Sequence, residues 1–199
     1  RRILDNAVMT YRGRPVGTVA ARPPDAPPAA DNYTQCFVRD FAVSGLVYLA
    51  EGRAEIVRNF LQTVLDLLDQ EVELAGQEIQ PGVMPASFIV RGEGMEQSLL
   101  ADFGNRAIGR VAPVDSMMWW TLLLYAYTHA TGDTELVQRE GFQRALRAVL
   151  SLCLQASFEV FPTLLVPDGS FMIDRRMGVH GHPLEIQAIA DGDAAQGIK

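Results

Sequence analysis

With 199 residues, 48% of them hydrophobic and 21% charged, the chain is long enough for one well-buried domain and ordinary in composition for a globular protein. Its formal net charge of -7 disfavours a polyanionic partner such as nucleic acid. The longest uncharged apolar stretch, near Met117 to Tyr127, is shorter than the about 20 residues needed to cross a bilayer, so no membrane partner is expected.

In chain order, Arg1 to Leu4 reads like the middle of a helix, and residues 1 to 11 like its end. Arg22 to Pro28 is a proline-rich loop. Phe37 to Ala50 has apolar positions near helical spacing, and Glu51-Gly52 breaks it. The next helix, about 53 to 69, carries one apolar stripe: Ile56, Val57, Phe60, Leu61, Val64, Leu65 and Leu68. Residues 70 to 110 have no sustained period and many Gly and Pro, with short strands such as Ser87 to Val90. A connection of this length often builds a binding site. A third helix is predicted from Asp115-Ser116 to about Ala130, and a fourth from about Glu135 to Ala156 with Phe142, Leu146, Val149 and Leu150 on its apolar side. A loop follows, and a fifth helix begins at Pro183. These helix pairs, joined by alternately short and long connections, suit an all-α toroid of about five main helices, whose long loops gather at one end as a pocket.

Cys36 and Cys153 both fall in apolar, helical contexts and read as reduced thiols of a cytoplasmic protein. No secretory signal is visible.

Three places carry the candidate chemistry. Asp115 precedes an apolar helix. It reads either as a helix cap, the commoner arrangement on spacing alone, or as a general acid. The helix terminus would lower its pKa, whereas apolar Met117, Met118, Trp119 and Trp120 would raise it. One of the two tryptophans can stack on a sugar face, and the other belongs to the core. Arg39-Asp40 lies inside an apolar helix, as a buried ion pair or as a clamp on substrate hydroxyls. Asp174, Arg175, Arg176, His180 and His182 surround a Gly-rich bend, and Glu185 and Gln187 follow. Hydrogen bonding in a pocket fits the two histidines better than metal ligation, since no Cys cluster or nearby third His accompanies them. No Gly-x-Ser-x-Gly elbow and no phosphate-cradling glycine loop occurs.

These segments resemble the neutral/alkaline invertases, glycoside hydrolase family 100. The resemblance rests on Gly13 to Thr18, Asn32-Tyr33 with Gln35 and Phe37 to Phe41, Ile56 to Phe60, Met84 to Phe88 and Ala101 to Gly104. It continues through Gly109 to Ser116 with Trp119-Trp120, Phe161 to Val166, Asp168-Gly169 and Met172 to Gln187. It implies an (α/α)6 barrel that hydrolyses sucrose to glucose and fructose by inversion, without metal or cofactor, in the cytosol or organelles, as a homo-oligomer. It assigns the general acid to Asp115, and it matches Arg39, Asp40 and the stretch of Arg175, Arg176, His180, His182, Glu185 and Gln187 to the surroundings of the sugar pocket, to which Trp119 and Asp174 are added from their own positions. Thr34, Ile89 and Phe171 depart from the family's usual residues. Family members continue beyond the position of Gln187 with helices that carry a second catalytic carboxylate, whereas residues 188–199 read as a polar, non-family tail. The expectation is therefore an incomplete catalytic domain over residues 1–187, inactive alone. The competing reading is a non-catalytic truncated product, or a carbohydrate-binding or interaction module on the same fold. A third is another activity on that toroid, such as a phosphorylase.

Overall fold

A computed structural model describes residues 2–20, 34–68, 73–74, 77–78, 81–103, 115–154, 170–171 and 175–176. The expected proline-rich loop and the fifth helix at Pro183 lie outside them.

The fold is mostly helical, but the all-α expectation is corrected: among the described residues, four small antiparallel sheets accompany the helices. The predicted helix at the N-terminus ends early. Helix α1 spans Arg2–Asn6, and strands β1 (Val8–Tyr11) and β2 (Arg14–Thr18) form a hairpin. Arg12 and Gly13, both at positive φ (48° and 78°), make its two-residue turn, a geometry whose twist matches paired strands. Val8, Thr10 and Tyr11 favour such a strand over a helix.

Strand β3 (Cys36–Phe37) runs straight into α2 (Val38–Ala50), and α3 (Ala54–Leu67) follows. The long connection contains β4 (Glu73–Leu74), β5 (Gln77–Glu78), β6 (Ser87–Arg91) and β7 (Ser98–Asp102). Strands β3, β6 and β7 form one sheet in that order. After it come α4 (Ser116–Thr131), α5 (Thr134–Gln138) and α6 (Glu140–Cys153). The single helix expected over 135–156 is thus two. Arg139 is extended (φ −61°, ψ 139°) and breaks the ladder, while the Gln143 side chain donates to the Val137 carbonyl across the break at 3.0 Å. Strands β8 (Ser170–Phe171) and β9 (Arg175–Arg176) pair with each other.

The core follows the predicted stripes. On α3, Ile56, Val57, Phe60, Leu61 and Val64 are buried, with Leu67 in place of half-buried Leu65 and Leu68. On α6, Phe142, Leu146, Val149 and Leu152 are buried. The ring of Phe60 packs on Phe41 of α2 at 4.1 Å and on Phe88 of β6 at 6.1 Å. This cluster fastens the sheet to the helices, each buried ring contributing about 1.5–3 kcal/mol. Both thiols are free of disulfide bonds, and burial raises the Cys36 pKa to about 12.

Helices α2 and α4 run parallel. Arg39 and Asp115 meet at their N-terminal ends, and Gly45 meets Leu123 about two turns further on. Helix α3 runs the opposite way, so that its Arg58 reaches Asp133, just past the C-terminal end of α4. Gly45 makes the close approach possible. A Cβ there would stand 2.9 Å from Leu123 Cδ1 and 3.2 Å from its Cδ2. Gly45→Val is therefore expected to cost about 1–3 kcal/mol by overpacking. Leu123→Ala should cost less beside Gly45→Val than in the parent chain, in urea denaturation of the two single variants and the double variant. Strictly additive losses would show that the two positions do not press on each other.

Candidate active site

Asp115 stands immediately before α4, where its backbone carbonyl accepts the N–H groups of Met118 and Trp119, each at 3.0 Å. In a cap the carboxylate would bind the first-turn N–H groups. That of Asp115 makes no such bond. Its Oδ2 instead accepts Nη1 of Arg39 at 3.1 Å and the indole N–H of Trp119 at 3.1 Å. The side chain is 6% exposed and has Met117 and Met118, both buried, as chain neighbours. Burial pushes its carboxyl above the usual aspartate range. Arg39 opposes this by charge and hydrogen bond, as do bonds from Asp115's own backbone and Trp119, but burial is the largest influence.

Asp133 is the contrast within the same chain. Its Oδ1 accepts the Leu136 N–H at 3.2 Å and so caps α5. Its Oδ2 accepts the Tyr127 hydroxyl at 2.8 Å and Arg58 Nε at 3.4 Å. The Tyr127 hydrogen bond is the main cause that holds its carboxyl below the usual range, with the Leu136 and Arg58 bonds adding to it. One aspartate caps a helix and favours its charge. The other stands at a helix start, does not cap, and favours its proton.

Arg39 is fixed by the sheet. The Val38 N–H donates to the Ala86 carbonyl at 3.0 Å, and the Ala86 N–H to the Asp102 carbonyl at 2.8 Å. The first turn of α2 thus hangs on β6 and β7 and aims the guanidinium at Asp115. Arg39 Nε also stands 3.8 Å from Asp40 Oδ1, whose side chain is 71% exposed. The Arg39-Asp40 pair is therefore not a buried ion pair: Arg39 reaches inward to Asp115, and Asp40 faces outward. The tryptophans divide likewise. Trp120 is buried, stacks on Phe142 at 5.6 Å and donates to the Leu61 carbonyl at 3.1 Å, whereas Trp119 is half-buried at Asp115.

Asp115, Arg39, Asp40 and Trp119 thus gather at the shared N-terminal end of α2 and α4. Arg175 and Arg176 form strand β9. Asp174, His180, His182, Glu185 and Gln187 lie outside the described residues. Sequence reasoning passed over a buried polar row beside the site. Phe37, Ser87 and Asp102 are in register across β3, β6 and β7, so their side chains share one face of the sheet. Ser87 and Asp102 are buried there, and the Ser87 hydroxyl donates to buried Gln35. The signal was present as polar residues alternating with apolar ones: Gln35 before Cys36, Ser87 before Phe88, Asp102 before Phe103.

Opposite pKa shifts make opposite pH dependences. An unfolded aspartate titrates near 3.8. The raised value at Asp115 means stability that is present at acid pH and lost as pH rises above 3.8. The lowered value at Asp133 means stability that is present above 3.8 and lost as pH falls below it. In thermal melts from acid to neutral pH, the parent should lose Tm relative to Asp115→Asn as pH rises, and gain Tm relative to Asp133→Asn. Two difference curves of the same sign would contradict the assignment.

The sequence profile described as alkaline and neutral invertase matches residues 1–194. The chain is 51% identical over 194 residues to a probable alkaline/neutral invertase A, chloroplastic, of Arabidopsis thaliana, covering 94% of this chain and 30% of that protein. It is 49% identical over 194 residues to neutral/alkaline invertase 1, mitochondrial, of Oryza sativa subsp. japonica, covering 94% of this chain and 31% of that protein. The chain therefore spans under a third of the length of these curated relatives. Their organelle names overturn the cytoplasmic expectation. Composition and reduced cysteines do not encode a compartment, which is addressed by targeting segments rather than by a packed core. Among the described residues, no helix is long and apolar enough to cross a membrane. With the profile matched over 194 of its 199 residues and relatives at half identity, the chain belongs to the alkaline and neutral invertase family.

Proposed function

We propose that this chain supplies the acid side of an inverting glycoside hydrolase that cleaves sucrose to glucose and fructose. The observation that carries this reading is the state of Asp115: a carboxyl at a helix start that does not cap the helix, is buried, and holds its proton above the usual range. Such a group can protonate the glycosidic oxygen as the bond breaks. The family's invertase name selects sucrose as the substrate.

The neighbours fit sugar binding. Asp40 offers an exposed carboxylate that can accept two vicinal hydroxyl protons, and the half-buried ring of Trp119 can lie against a sugar face. Arg39 links Asp40 to the acid, and Trp119 bonds the acid directly. Asp174, Arg175, Arg176, His180, His182, Glu185 and Gln187 are proposed to complete the pocket. An inverting enzyme also needs a carboxylate about 6.5–9.5 Å from the acid to activate water. We assign that base to residues beyond those described. The up-down-up order of α2, α3 and α4 suits the alternation of helices around an (α/α)6 ring.

The test replaces the matched segment of the Arabidopsis relative by residues 1–194 and measures glucose release from sucrose. Asp115→Asn should lower kcat by about 100- to 10,000-fold, the usual weight of general acid catalysis. A rate near the parent's removes Asp115 from the role. In the same protein, Asp40→Asn should reduce sucrose hydrolysis while leaving Tm nearly unchanged, because its side chain is exposed. A large fall in Tm with unchanged turnover per folded molecule would make Asp40 structural.

A further inference from the structure

Adjacent Trp119 and Trp120 send their indole N–H groups to different acceptors. That of buried Trp120 goes to the Leu61 carbonyl, a group that never titrates in water. That of Trp119 goes to Asp115 Oδ2, four residues back and just before α4. Arg39 Nη1 meets the same oxygen. An indole and a guanidinium can only donate, so Oδ2 serves as acceptor to both and the proton of the neutral carboxyl is left to Oδ1.

We propose that Trp119 is a positioning residue for the acid: its N–H, together with that of Arg39, holds Oδ2 as an acceptor and confines the transferable proton to Oδ1. This deepens the reading of Asp115 as the general acid and rests on it. Stacking against a sugar needs only the face of an aromatic ring, which Phe also has. The N–H bond does what Phe cannot. It turns the carboxyl plane to one orientation, and it favours the charged form, offsetting part of the effect of burial. Among the described residues, the charged groups around Asp115 come from α2: Arg39 in contact, and Asp40 behind it. Helix α3 sends Arg58 to the opposite end of α4, at Asp133.

The chain has two tryptophans and hence two indole 15N–H signals. Both are followed through a pH titration of the whole chain, alongside the 13C carboxyl signal of Asp115. The Trp119 signal should shift with the midpoint of Asp115 while the Trp120 signal stays flat, and Asp115→Asn should abolish the Trp119 shift. Trp119→Phe should move the Asp115 midpoint to higher pH. A raised Asp115 midpoint with a flat Trp119 signal overturns the positioning role and leaves the acid reading standing. An ordinary Asp115 midpoint overturns the acid reading and the proposal with it. The parent's own two indole signals keep the test decisive if Trp119→Phe does not fold.

Discussion

The contact between Arg39 and Asp115 joins residues 76 positions apart and depends on two parallel helices starting at the same level. Everything that sets this level is structural. The β3–β6–β7 sheet anchors the first turn of α2, the Phe41–Phe60–Phe88 rings fasten sheet to helices, and Gly45 lets α2 close on Leu123 of α4. A helix shifted by one turn, about 5.4 Å, would carry the guanidinium out of reach of the carboxyl. The Arg39–Asp115 contact is therefore a property of helix packing and of the sheet that anchors α2.

Parallel packing also poses an electrostatic problem that Asp115 resolves. Two helix N-termini at one end concentrate positive potential, which would keep a solvent-exposed aspartate charged. Asp133, by contrast, caps the short α5, and its carboxyl is held low mainly by the Tyr127 hydrogen bond. Asp115 is withdrawn from water, and its carboxylate turns from the helix N–H groups toward Arg39 and Trp119. Those bonds keep the buried carboxyl satisfied without removing the influence of burial. The balance is what an acid needs: a proton held more tightly than on an ordinary aspartate, on a group whose orientation is fixed.

Much of the fold was legible in the sequence. Helical periods located α2, α3 and α4 within about two residues, because each buries one face against a single core. The split between α5 and α6 was not, since Arg139 is no helix breaker and only its local hydrogen bonding stops the ladder there. Strand β1 resembles the end of a helix in the sequence because the four residues of Val8–Tyr11 are too few to reveal a period. At the site, Asp115, Arg39 and Trp119 were each singled out, yet their mutual contact was not. Spacing along a chain sets neighbours one turn away, as for Trp119 and Asp115, but says nothing of which helix faces which. The adjacency of Arg39 and Asp40 leaves a buried ion pair and a clamp on substrate hydroxyls equally open in the sequence, and the structure removes the first because these consecutive helical residues point apart, one inward and one outward.

The measurement that bears most directly on Asp115 as a proton donor uses a leaving group that needs no proton. In the protein carrying residues 1–194 in place of a relative's matched segment, Asp115→Asn should abolish most sucrose cleavage, because the departing sugar oxygen must be protonated. The same variant should retain cleavage of the corresponding glycosyl fluoride, since fluoride departs without that help. Retention of fluoride cleavage with loss of sucrose cleavage is the predicted result. Equal loss on both substrates would show that Asp115 holds the site together and does not deliver the proton.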